Sequence, residues 1–309
     1  MPVTIGHALR DARKKIDALD ARVLLCHVIK RDTAYLIAHG DAPLGCDDQR
    51  AFDALIARRV AGEPIAYITG RREFFGLDFK VSPAVLIPRP ETELLVELAL
   101  ERIPRDKSCS VLDLGTGSGC MAVSIARHRP LARVMATDIS SDALALAREN
   151  ARALDVHNIE CAVGDWFGGV DDRSFDLIVS NPPYVADGDP HLTLGDVRFE
   201  PRAALVAGAD GLDCIRGIVA HGASHLAPGG WLMFEHGHDQ AARCRKLLSR
   251  AGFAAVFSRR DVAGIERVSG GRAPDLDSRK EGGSVTSRES LPRESSDRTA
   301  RSKMAPSRT

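Results

Sequence analysis

The sequence has no long hydrophobic run. Among its 309 residues, no uninterrupted apolar stretch, counting glycine, exceeds the seven residues of 203–209, whereas a helix needs about 18 apolar residues to cross a bilayer. The first residues reach Asp11 and then Lys14 and Lys15 before any apolar core, so they do not resemble a secretory signal peptide. We therefore expect no membrane association and a cytoplasmic location.

The sequence also lacks net charge and paired cysteines. It has 42 basic and 42 acidic residues, so no overall field attracts it to nucleic acid or to an anionic membrane. Its seven cysteines are scattered without any Cys-x-x-Cys pair, which indicates reduced, mostly buried thiols and no metal site. The hydrophobic fraction of 44% and the charged fraction of 27% are typical of a globular protein.

Helical patterns dominate the first part of the chain. Within residues 1–70, Thr4 is a candidate helix cap, and Asp47 and Asp48 open a further helix at the end where the helix dipole favours negative charge. Residues 73–81 then alternate around a central glycine and predict a short hairpin. The sequence therefore predicts a small helical domain joined to the rest by a hairpin.

Short apolar runs alternate with helical periodicity from residue 109 onward. The runs are residues 111–114, 133–137, 159–163, 175–179 and 231–234, and the helical stretches are 119–128, 141–154, 211–226 and 238–251. This alternation predicts an α/β fold with a parallel sheet covered on both faces. Two last strands, 254–258 and 265–269, are expected to pair as an antiparallel edge.

The composition changes after residue 272. Residues 273–309 hold eight serines, eight basic and six acidic residues, and no aromatic residue. Such a segment cannot bury enough apolar area to offset its ordering entropy, so we expect a disordered tail. The predicted organisation is a helical domain over 1–70, a hairpin linker over 71–90, an α/β domain over 91–272 and a tail over 273–309.

A glycine-rich segment directly follows the first predicted strand of the sheet. Glycines at alternate positions, between a strand and a helix, allow the backbone to approach a ligand in conformations that a Cβ would forbid. A tight turn without a ligand is the alternative, since short motifs also match by chance, and the position between a strand and a helix favours ligand binding. The candidate residues are Gly115, Thr116, Gly117, Ser118 and Gly119.

Two further candidates follow the next two strands. Asp138 ends the second strand, where a carboxylate can accept hydrogen bonds from both hydroxyls of a ribose, although it could instead cap the next helix in competition with Ser140 or Ser141. Trp166, beside Asp165 after the third strand, offers a flat apolar surface for an adenine ring. Packing in the core is nearly as good an explanation for Trp166.

The most informative motif is Asn181, Pro182, Pro183 and Tyr184, directly after the fourth strand. Consecutive prolines cannot continue a ladder, so the chain leaves the sheet there. The Asn181 amide and the Pro182 carbonyl are two acceptors that can hold both N–H groups of a planar –NH₂. The lone pair of that nitrogen can then face an electrophilic methyl group, which is catalysis by orientation.

Together these motifs resemble an S-adenosylmethionine-dependent N-methyltransferase. Asn-Pro-Pro-Tyr is shared by adenine-N6 and protein-glutamine N5 methyltransferases, and other stretches resemble specifically the release factor glutamine methyltransferase family. These stretches are residues 62–70 (Gly-Glu-Pro-Ile-Ala-Tyr-Ile-Thr-Gly), 72–76 (Arg-Glu-Phe-Phe-Gly), 86–93 (Leu-Ile-Pro-Arg-Pro-Glu-Thr-Glu), 195–201 (Gly-Asp-Val-Arg-Phe-Glu-Pro), 235–237 (Glu-His-Gly), 266–268 (Glu-Arg-Val) and 271–272 (Gly-Arg). The resemblance extends from the first helices to about Arg272.

The resemblance implies a class I methyltransferase fold, Rossmann-like, with a mostly parallel seven-stranded sheet and a small helical N-terminal domain that helps to hold the substrate. It implies S-adenosylmethionine as the cofactor, held by residues 115–119, Asp138 and Trp166, with Asn181 touching both cofactor and substrate. It implies that residues 181–184 bind the reacting amide, and that the substrate is the glutamine of the Gly-Gly-Gln loop in bacterial class I release factors.

Three other functions remain as alternatives. A nucleic-acid adenine-N6 methyltransferase would need phosphate contacts and a flipped base, yet residues 1–272 carry 34 basic and 36 acidic side chains. A ribosomal-protein glutamine methyltransferase is expected to differ after the Ile-Pro-Arg segment, where this chain has residues 90–93. A binding module without catalysis would leave Asn181 and Tyr184 unexplained. Glu235, Arg198 and Glu200 are further polar residues whose part in the site the sequence leaves open.

Overall fold

The computed structural model describes residues 3–273. Its first part contains five helices, which are α1 (Ile5–Ala12), α2 (Ala18–Ile29), α3 (Thr33–Ala38), α4 (Cys46–Val60) and α5 (Ile65–Thr69). Side chains cap three of them, because Thr4, Asp17 and Asp32 each accept a hydrogen bond from a backbone N–H of the first turn. The expected cap at Thr4 and the expected acidic start of α4 are confirmed.

These helices enclose an apolar core of their own. Leu24 and Leu25 of α2 and Phe52 and Ile56 of α4 are almost completely buried and belong to one hydrophobic cluster. Burial of each such side chain contributes about 1.5–3 kcal/mol. The helical arrangement therefore rests mainly on the apolar stripes of α2 and α4.

A hairpin connects the helices to the sheet. Strands β1 (Arg71–Phe74) and β2 (Leu77–Lys80) pair antiparallel, as the alternation over 73–81 predicts. Phe74 and Phe79 are buried in the same cluster as the first helices of the catalytic part. The hairpin is therefore packed onto the sheet domain rather than free between two bodies.

The main sheet has seven strands. They are β3 (Cys109–Leu114), β4 (Ala132–Asp138), β5 (Ile159–Val163), β6 (Phe175–Ser180), β7 (Leu226–Glu235), β8 (Ala254–Arg260) and β9 (Glu266–Arg272), in the spatial order β5-β4-β3-β6-β7-β9-β8. The first five are parallel and β9 runs antiparallel to β7 and β8. The expected mostly parallel seven-stranded sheet is confirmed, and the last strand of the chain lies inside the sheet rather than at its edge.

Five further helices cover the two faces of the sheet. They are α6 (Glu93–Arg102), α7 (Cys120–His128), α8 (Ser141–Ala153), α9 (Asp213–Gly222) and α10 (Ala241–Arg250). Successive strand residues alternate between faces, and accordingly Val111 packs with α6 and α7 whereas Leu112 packs with α9 and α10. Because both faces are buried, the strands are continuous apolar runs, which explains why the sequence shows them clearly.

Strand order decides where the loops meet. The chain moves outward from β3 to β4 and β5 and returns to β6 on the other side of β3. At such a reversal, the loops at the carboxyl ends of the strands open a crevice for ligands. Leu114 at the end of β3 is the register partner of Ser180 at the end of β6, so the glycine-rich segment and Asn181 start side by side.

The described chain ends at Ala273, which is buried, and its N–H donates to the Gly230 carbonyl at 2.7 Å. The segment expected to be disordered therefore does not begin at residue 273, and the rest of it lies outside the described residues. Within residues 3–273, no helix is both long and apolar enough to span a membrane.

Asn150 of α8 joins the hairpin to the glycine-rich segment. Its Oδ1 accepts from the Lys80 N–H at 2.8 Å, and its Nδ2 donates to the carbonyls of Lys80 at 3.0 Å and Ser118 at 2.8 Å. We expect Asn150→Leu to lower the free energy of unfolding by about 3 kcal/mol, because three backbone groups, two of them part-buried and one buried, lose their partner. Urea unfolding measures this loss.

Glu149→Gln is the matched control for Asn150→Leu. It removes the exposed ion pair between Lys80 and Glu149 on the same helix turn and should cost less than about 1 kcal/mol. Equal losses from the two variants would show that Asn150 does not hold these segments together.

Candidate active site

A cavity of about 320 Å³ lies at the carboxyl ends of β3, β4 and β6. This volume is within the range of small-molecule sites in proteins. Most of its wall is apolar, with a few polar groups. The wall includes Val85, Leu86, Arg89, Thr92, Met121, Asp138, Ile139, Asp165, Trp166, Asn181, Pro183 and Pro201, together with residues 115–118.

The glycine-rich segment forms one side of the cavity. Gly115, Gly117 and Gly119 have φ values of 69°, 55° and 81°, a region that favours glycine. A Cβ at Gly119 would lie 2.9 Å from the Ala147 Cβ, so a side chain there would separate the segment from α8. Thr116 and Ser118 are buried, and the Thr116 N–H donates to the Thr137 carbonyl.

Asp138 faces the cavity and supports the glycine-rich segment. One carboxylate oxygen accepts from the Gly117 N–H at 2.8 Å, and the other accepts from the Ser140 N–H at 2.9 Å. The cap of α8 is Ser140, whose hydroxyl accepts from the Ala143 N–H. Because Ser140 caps the helix, the Asp138 carboxylate is left at the cavity wall with unused lone pairs.

Trp166 lies opposite the glycine-rich segment. Its ring is 3.8 Å from the position that a Cβ of Gly115 would occupy, and its φ of 50° places it in the left-handed region. Part of the ring packs on the core beneath the sheet. Trp166 therefore serves as both cavity wall and core, the two roles that the sequence left open.

These residues fit S-adenosylmethionine. The apolar walls suit an adenine ring and a methylene chain, and the Asp138 carboxylate suits the two hydroxyls of a ribose. A Cβ at Gly117 would meet no atom within 4 Å, so open space adjoins the backbone where a ligand would approach it. Within residues 3–273, no cluster of potential metal ligands accompanies the cavity.

The Asn-Pro-Pro-Tyr segment forms the side of the cavity next to the glycine-rich segment. Asn181 and Pro183 line the cavity, whereas Pro182 is buried and Tyr184 is not part of the lining. The Tyr184 hydroxyl instead donates to Glu235 at 3.1 Å. The structure thus brings Asn181 to the predicted place and turns the Tyr184 hydroxyl away from it.

Glu235 and Thr92 are polar neighbours that the sequence did not place in the site. The Asn181 Nδ2 donates to the Thr92 hydroxyl oxygen at 3.0 Å, and the Thr92 hydroxyl donates to Glu235 at 2.7 Å. Thr92 is 2% exposed and Glu235 is 1% exposed. Their signal in the sequence was only their position, Thr92 inside residues 86–93 and Glu235 at the end of a strand.

Burial dominates the titration of the groups around the cavity. It raises the pKa of Glu235 above its ordinary value, although the hydrogen bonds from Thr92 and Tyr184 oppose the change. It also raises the pKa of the Tyr184 hydroxyl, with the Glu235 charge acting in the same direction. Burial raises the pKa of Asp113 to about 7 and that of the Cys120 thiol to about 12, so Cys120 is a thiol and not a nucleophile at neutral pH.

The loop after Tyr184 crosses the cavity and is held by charged groups from distant parts of the chain. Arg89 donates to both oxygens of Glu200 at 2.7 and 2.8 Å, and the Glu200 side chain is fully buried. Arg198 donates to the Ala61 carbonyl at 2.8 Å. Arg198 and Glu200 therefore each bind a partner outside their own loop.

The same loop contacts the helical part of the chain a second time. Arg59 of α4 donates to Asp196 at 2.8 Å and to Asp20 of α2 at 2.7 Å. Behind this contact, Pro201, Ala203 and Ala204 form part of the cavity wall. The N-terminal helices and the cavity therefore share one loop.

Comparisons with known proteins agree with this geometry. Residues 4–70 match the family model of the PrmC N-terminal domain, and residues 91–203 match that of the methyltransferase small domain. Among solved structures, a methyltransferase from Pyrococcus furiosus is similar with a TM-score of 0.50 and 19% identity, covering 71% of this chain and 97% of that one. The catalytic domain of hMettl16 is similar with a TM-score of 0.54 and 15% identity, covering 72% and 82%. At these identities the likeness shows the fold, which is that of class I methyltransferases.

Relatives with much higher identity are named for one activity. The release factor glutamine methyltransferase of Burkholderia pseudomallei is 54% identical over 279 residues, which cover 88% of this chain and 97% of that protein. The release factor glutamine methyltransferase of Vibrio cholerae is 47% identical over 280 residues, covering 88% and 98%. The chain therefore belongs to the release factor glutamine methyltransferase family, whose members are enzymes that use S-adenosylmethionine.

Proposed function

We propose that this enzyme transfers a methyl group to the side-chain nitrogen N5 of the glutamine in the Gly-Gly-Gln loop of bacterial class I peptide chain release factors. The observation that carries the proposal is that Asn181 and the glycine-rich segment line one cavity. A substrate amide and a methyl donor can therefore meet there. The names of the relatives at 47–54% identity support the release factor as substrate.

Asn181 and Pro182 orient the substrate amide in this proposal. The Asn181 Oδ1 and the Pro182 carbonyl each accept one N–H of the planar –NH₂. Pro183 lines the pocket around it, and Tyr184, outside the lining, holds the segment in place through its hydrogen bond to Glu235. An amide nitrogen is a poor nucleophile because its lone pair is delocalised into the carbonyl. When both hydrogens are held, the plane of the –NH₂ group is fixed, and the lone pair can be aimed at the methyl donor. Such positioning is a large source of rate enhancement.

The remaining cavity residues hold the cofactor in this proposal. When bound, S-adenosylmethionine supplies an electrophilic methyl group on a sulfonium. The backbone of Gly115, Thr116, Gly117, Ser118 and Gly119 takes the methionine portion, Asp138 takes the ribose hydroxyls, and Trp166 takes the adenine ring. Asn181 borders both ligands. A bound cofactor would give up its methyl group to the amide nitrogen and leave as the neutral thioether. The nitrogen could lose its proton after the transfer, so Asn181 and Pro182 would need only to orient the amide and no strong base would be required before it.

Residues 1–70 act as the substrate-recognition domain in this proposal, joined by the linker 71–90 to the methyltransferase domain 91–272. The loop that crosses the cavity supports this division, because Arg59 and Ala61 hold it through Asp196 and Arg198. Binding of the release factor to the helices would thus be transmitted through this loop to the cavity beside the reacting amide. Since release factors act on ribosomes, we place the enzyme in the cytoplasm and propose no direct nucleic-acid or membrane contact.

A panel of acceptors tests this substrate against the alternatives. The enzyme is incubated with labelled S-adenosylmethionine and, separately, with a class I release factor, its Gly-Gly-Gln variant carrying Gln→Ala, ribosomal protein and DNA. We expect label on the wild-type release factor alone. Label on DNA or ribosomal protein with none on the release factor would contradict the proposal, and equal label on the Gln→Ala factor would exclude that glutamine as acceptor.

Asn181→Ala should reduce turnover much more than cofactor binding. Loss of one of the two acceptors frees the amide to rotate, which affects the methyl-transfer step, and we expect kcat to fall about 100-fold. Single-turnover assays measure the rate and calorimetry measures S-adenosylmethionine affinity. Comparable losses in both would show that Asn181 does not act by orientation.

Asp138→Ala should instead weaken cofactor binding first. We expect about a tenfold rise in the Kd for S-adenosylmethionine, since hydrogen bonds to a carboxylate contribute about 1.5–3 kcal/mol. Asp142→Ala is the matched control, because Asp142 is an exposed acid of the first turn of α8 outside the cavity lining. An unchanged Kd in Asp138→Ala would remove this residue from the ribose site.

A further inference from the structure

Two hydrogen bonds connect Asn181 to the buried carboxylate of Glu235, and a third joins Tyr184 to the same carboxylate. Asn181 Nδ2 donates to the Thr92 oxygen at 3.0 Å, and Thr92 donates to Glu235 Oε2 at 2.7 Å. Tyr184 donates to Glu235 Oε1 at 3.1 Å. These hydrogen bonds connect the turn before α6, the end of β6 and the end of β7.

From these hydrogen bonds we infer that Thr92 and Glu235 are positioning residues that fix which end of the Asn181 side-chain amide faces the substrate. The inference rests on the proposed function, in which the Asn181 oxygen accepts an N–H of the substrate amide. Neither Thr92 nor Glu235 needs to touch the reacting atoms for this role.

The single hydrogen of the Thr92 hydroxyl determines which group donates in each of these hydrogen bonds. Both Glu235 oxygens already accept a hydroxyl hydrogen, one from Thr92 and one from Tyr184, and a hydroxyl has only one hydrogen to donate. The Thr92 hydrogen is therefore committed to Glu235, and the Thr92 oxygen can only accept from Asn181. Only the –NH₂ end of the Asn181 amide satisfies this requirement, so its Oδ1 is left to face the cavity.

The two ends of a carboxamide have nearly the same size, so packing alone does not distinguish them. Without the Thr92 hydroxyl, the Asn181 amide could rotate by half a turn at little steric cost. It would then present –NH₂ to the –NH₂ of the substrate, and two donors that face each other form no hydrogen bond. Hydrogen bonding by Thr92 is therefore what selects the productive orientation.

Glu235 makes this selection rigid. Both of its oxygens accept a hydroxyl hydrogen, and the side chain is 1% exposed. A buried carboxylate is costly to desolvate, and apolar replacements of buried charged groups are often neutral or stabilising. Stabilisation of the fold is thus a weak explanation for a glutamate at position 235. The need to orient Asn181 explains why residue 235 accepts hydrogen bonds and why it lies next to Thr92.

Thr92→Val tests the inference with a side chain of the same shape. We expect kcat on the release factor to fall about tenfold, the equivalent of one hydrogen bond lost from the transition state. The KM for release factor and the Kd for S-adenosylmethionine should change less than about twofold. Thr92→Ser, which keeps the hydroxyl, should restore most of kcat. Ser224→Ala is the control for loss of a hydroxyl, because the Ser224 hydroxyl donates to the His221 carbonyl at 2.7 Å after α9, outside the cavity lining.

A double-mutant cycle with Asn181→Ala separates positioning from a general structural effect. If Thr92 acts through Asn181, then Thr92→Val adds no further loss of kcat once Asn181 is alanine. Losses that multiply would show that Thr92 acts independently of Asn181 and would overturn the inference.

Glu235→Gln provides a second variant of unchanged shape. A glutamine amide presents a donor to one of the two hydroxyls, so we expect a loss of kcat similar to that of Thr92→Val, again absent in the Asn181→Ala background. Thermal unfolding checks that each variant is folded.

The outcomes distinguish the inference from the proposed function. If Asn181→Ala slows methylation of the release factor but Thr92→Val and Glu235→Gln do not, the inference is wrong and the function stands. If the wild-type enzyme does not methylate the release factor, or Asn181→Ala leaves kcat unchanged, both are overturned.

Discussion

The pairing of β3 with β6 is the constraint on which the active site depends. The two strands are parallel neighbours that end in register at Leu114 and Ser180, and the Ser180 hydroxyl donates to the Leu114 carbonyl at 2.8 Å. Beyond this point the chain leaves the sheet twice, once into the glycine-rich segment and once into Asn181. Because parallel strands end at the same edge, the glycine-rich segment and Asn181 line one cavity. A shift of register by one residue would move these loops apart and exchange side chains between the two buried faces of the sheet.

Polar groups are concentrated where this apolar sheet ends. Each face of the sheet is covered by helices, so the strands contribute apolar side chains to two cores. At the carboxyl ends, Asp138, Asn181 and Glu235 emerge instead, and each is held by hydrogen bonds from a neighbouring segment. Such networks are rigid only when every member is satisfied. The rigid scaffold and the hydrogen-bonded loops therefore act together to fix the cavity, and the pair of Arg89 and Glu200 holds the loop that crosses it.

Much of the fold could be predicted because its signals are local. The buried strands are continuous apolar runs, Thr4 is a helix cap, and the alternation over 73–81 marks a hairpin. The glycine-rich segment, Asp138 and Asn181 were also found from position, since each directly follows a strand. Thr92 was not predicted to belong to the site, because threonine and glutamate are common at the start of a helix, where they stabilise its N-terminus. Its two partners lie 89 and 143 residues away, and no local pattern encodes such pairs.

By itself, the sequence determined the α/β class, the order of the elements and the chemical groups at the strand ends, because side-chain period, capping and turn chemistry act over a few residues. Only the tertiary structure decided that β9 lies inside the sheet and that Glu200 pairs with Arg89. It also decided that Glu235 accepts hydrogen bonds from two hydroxyls, one of which is bonded to Asn181. These outcomes depend on contacts between distant segments, whose free energy is gained only when the whole core is packed.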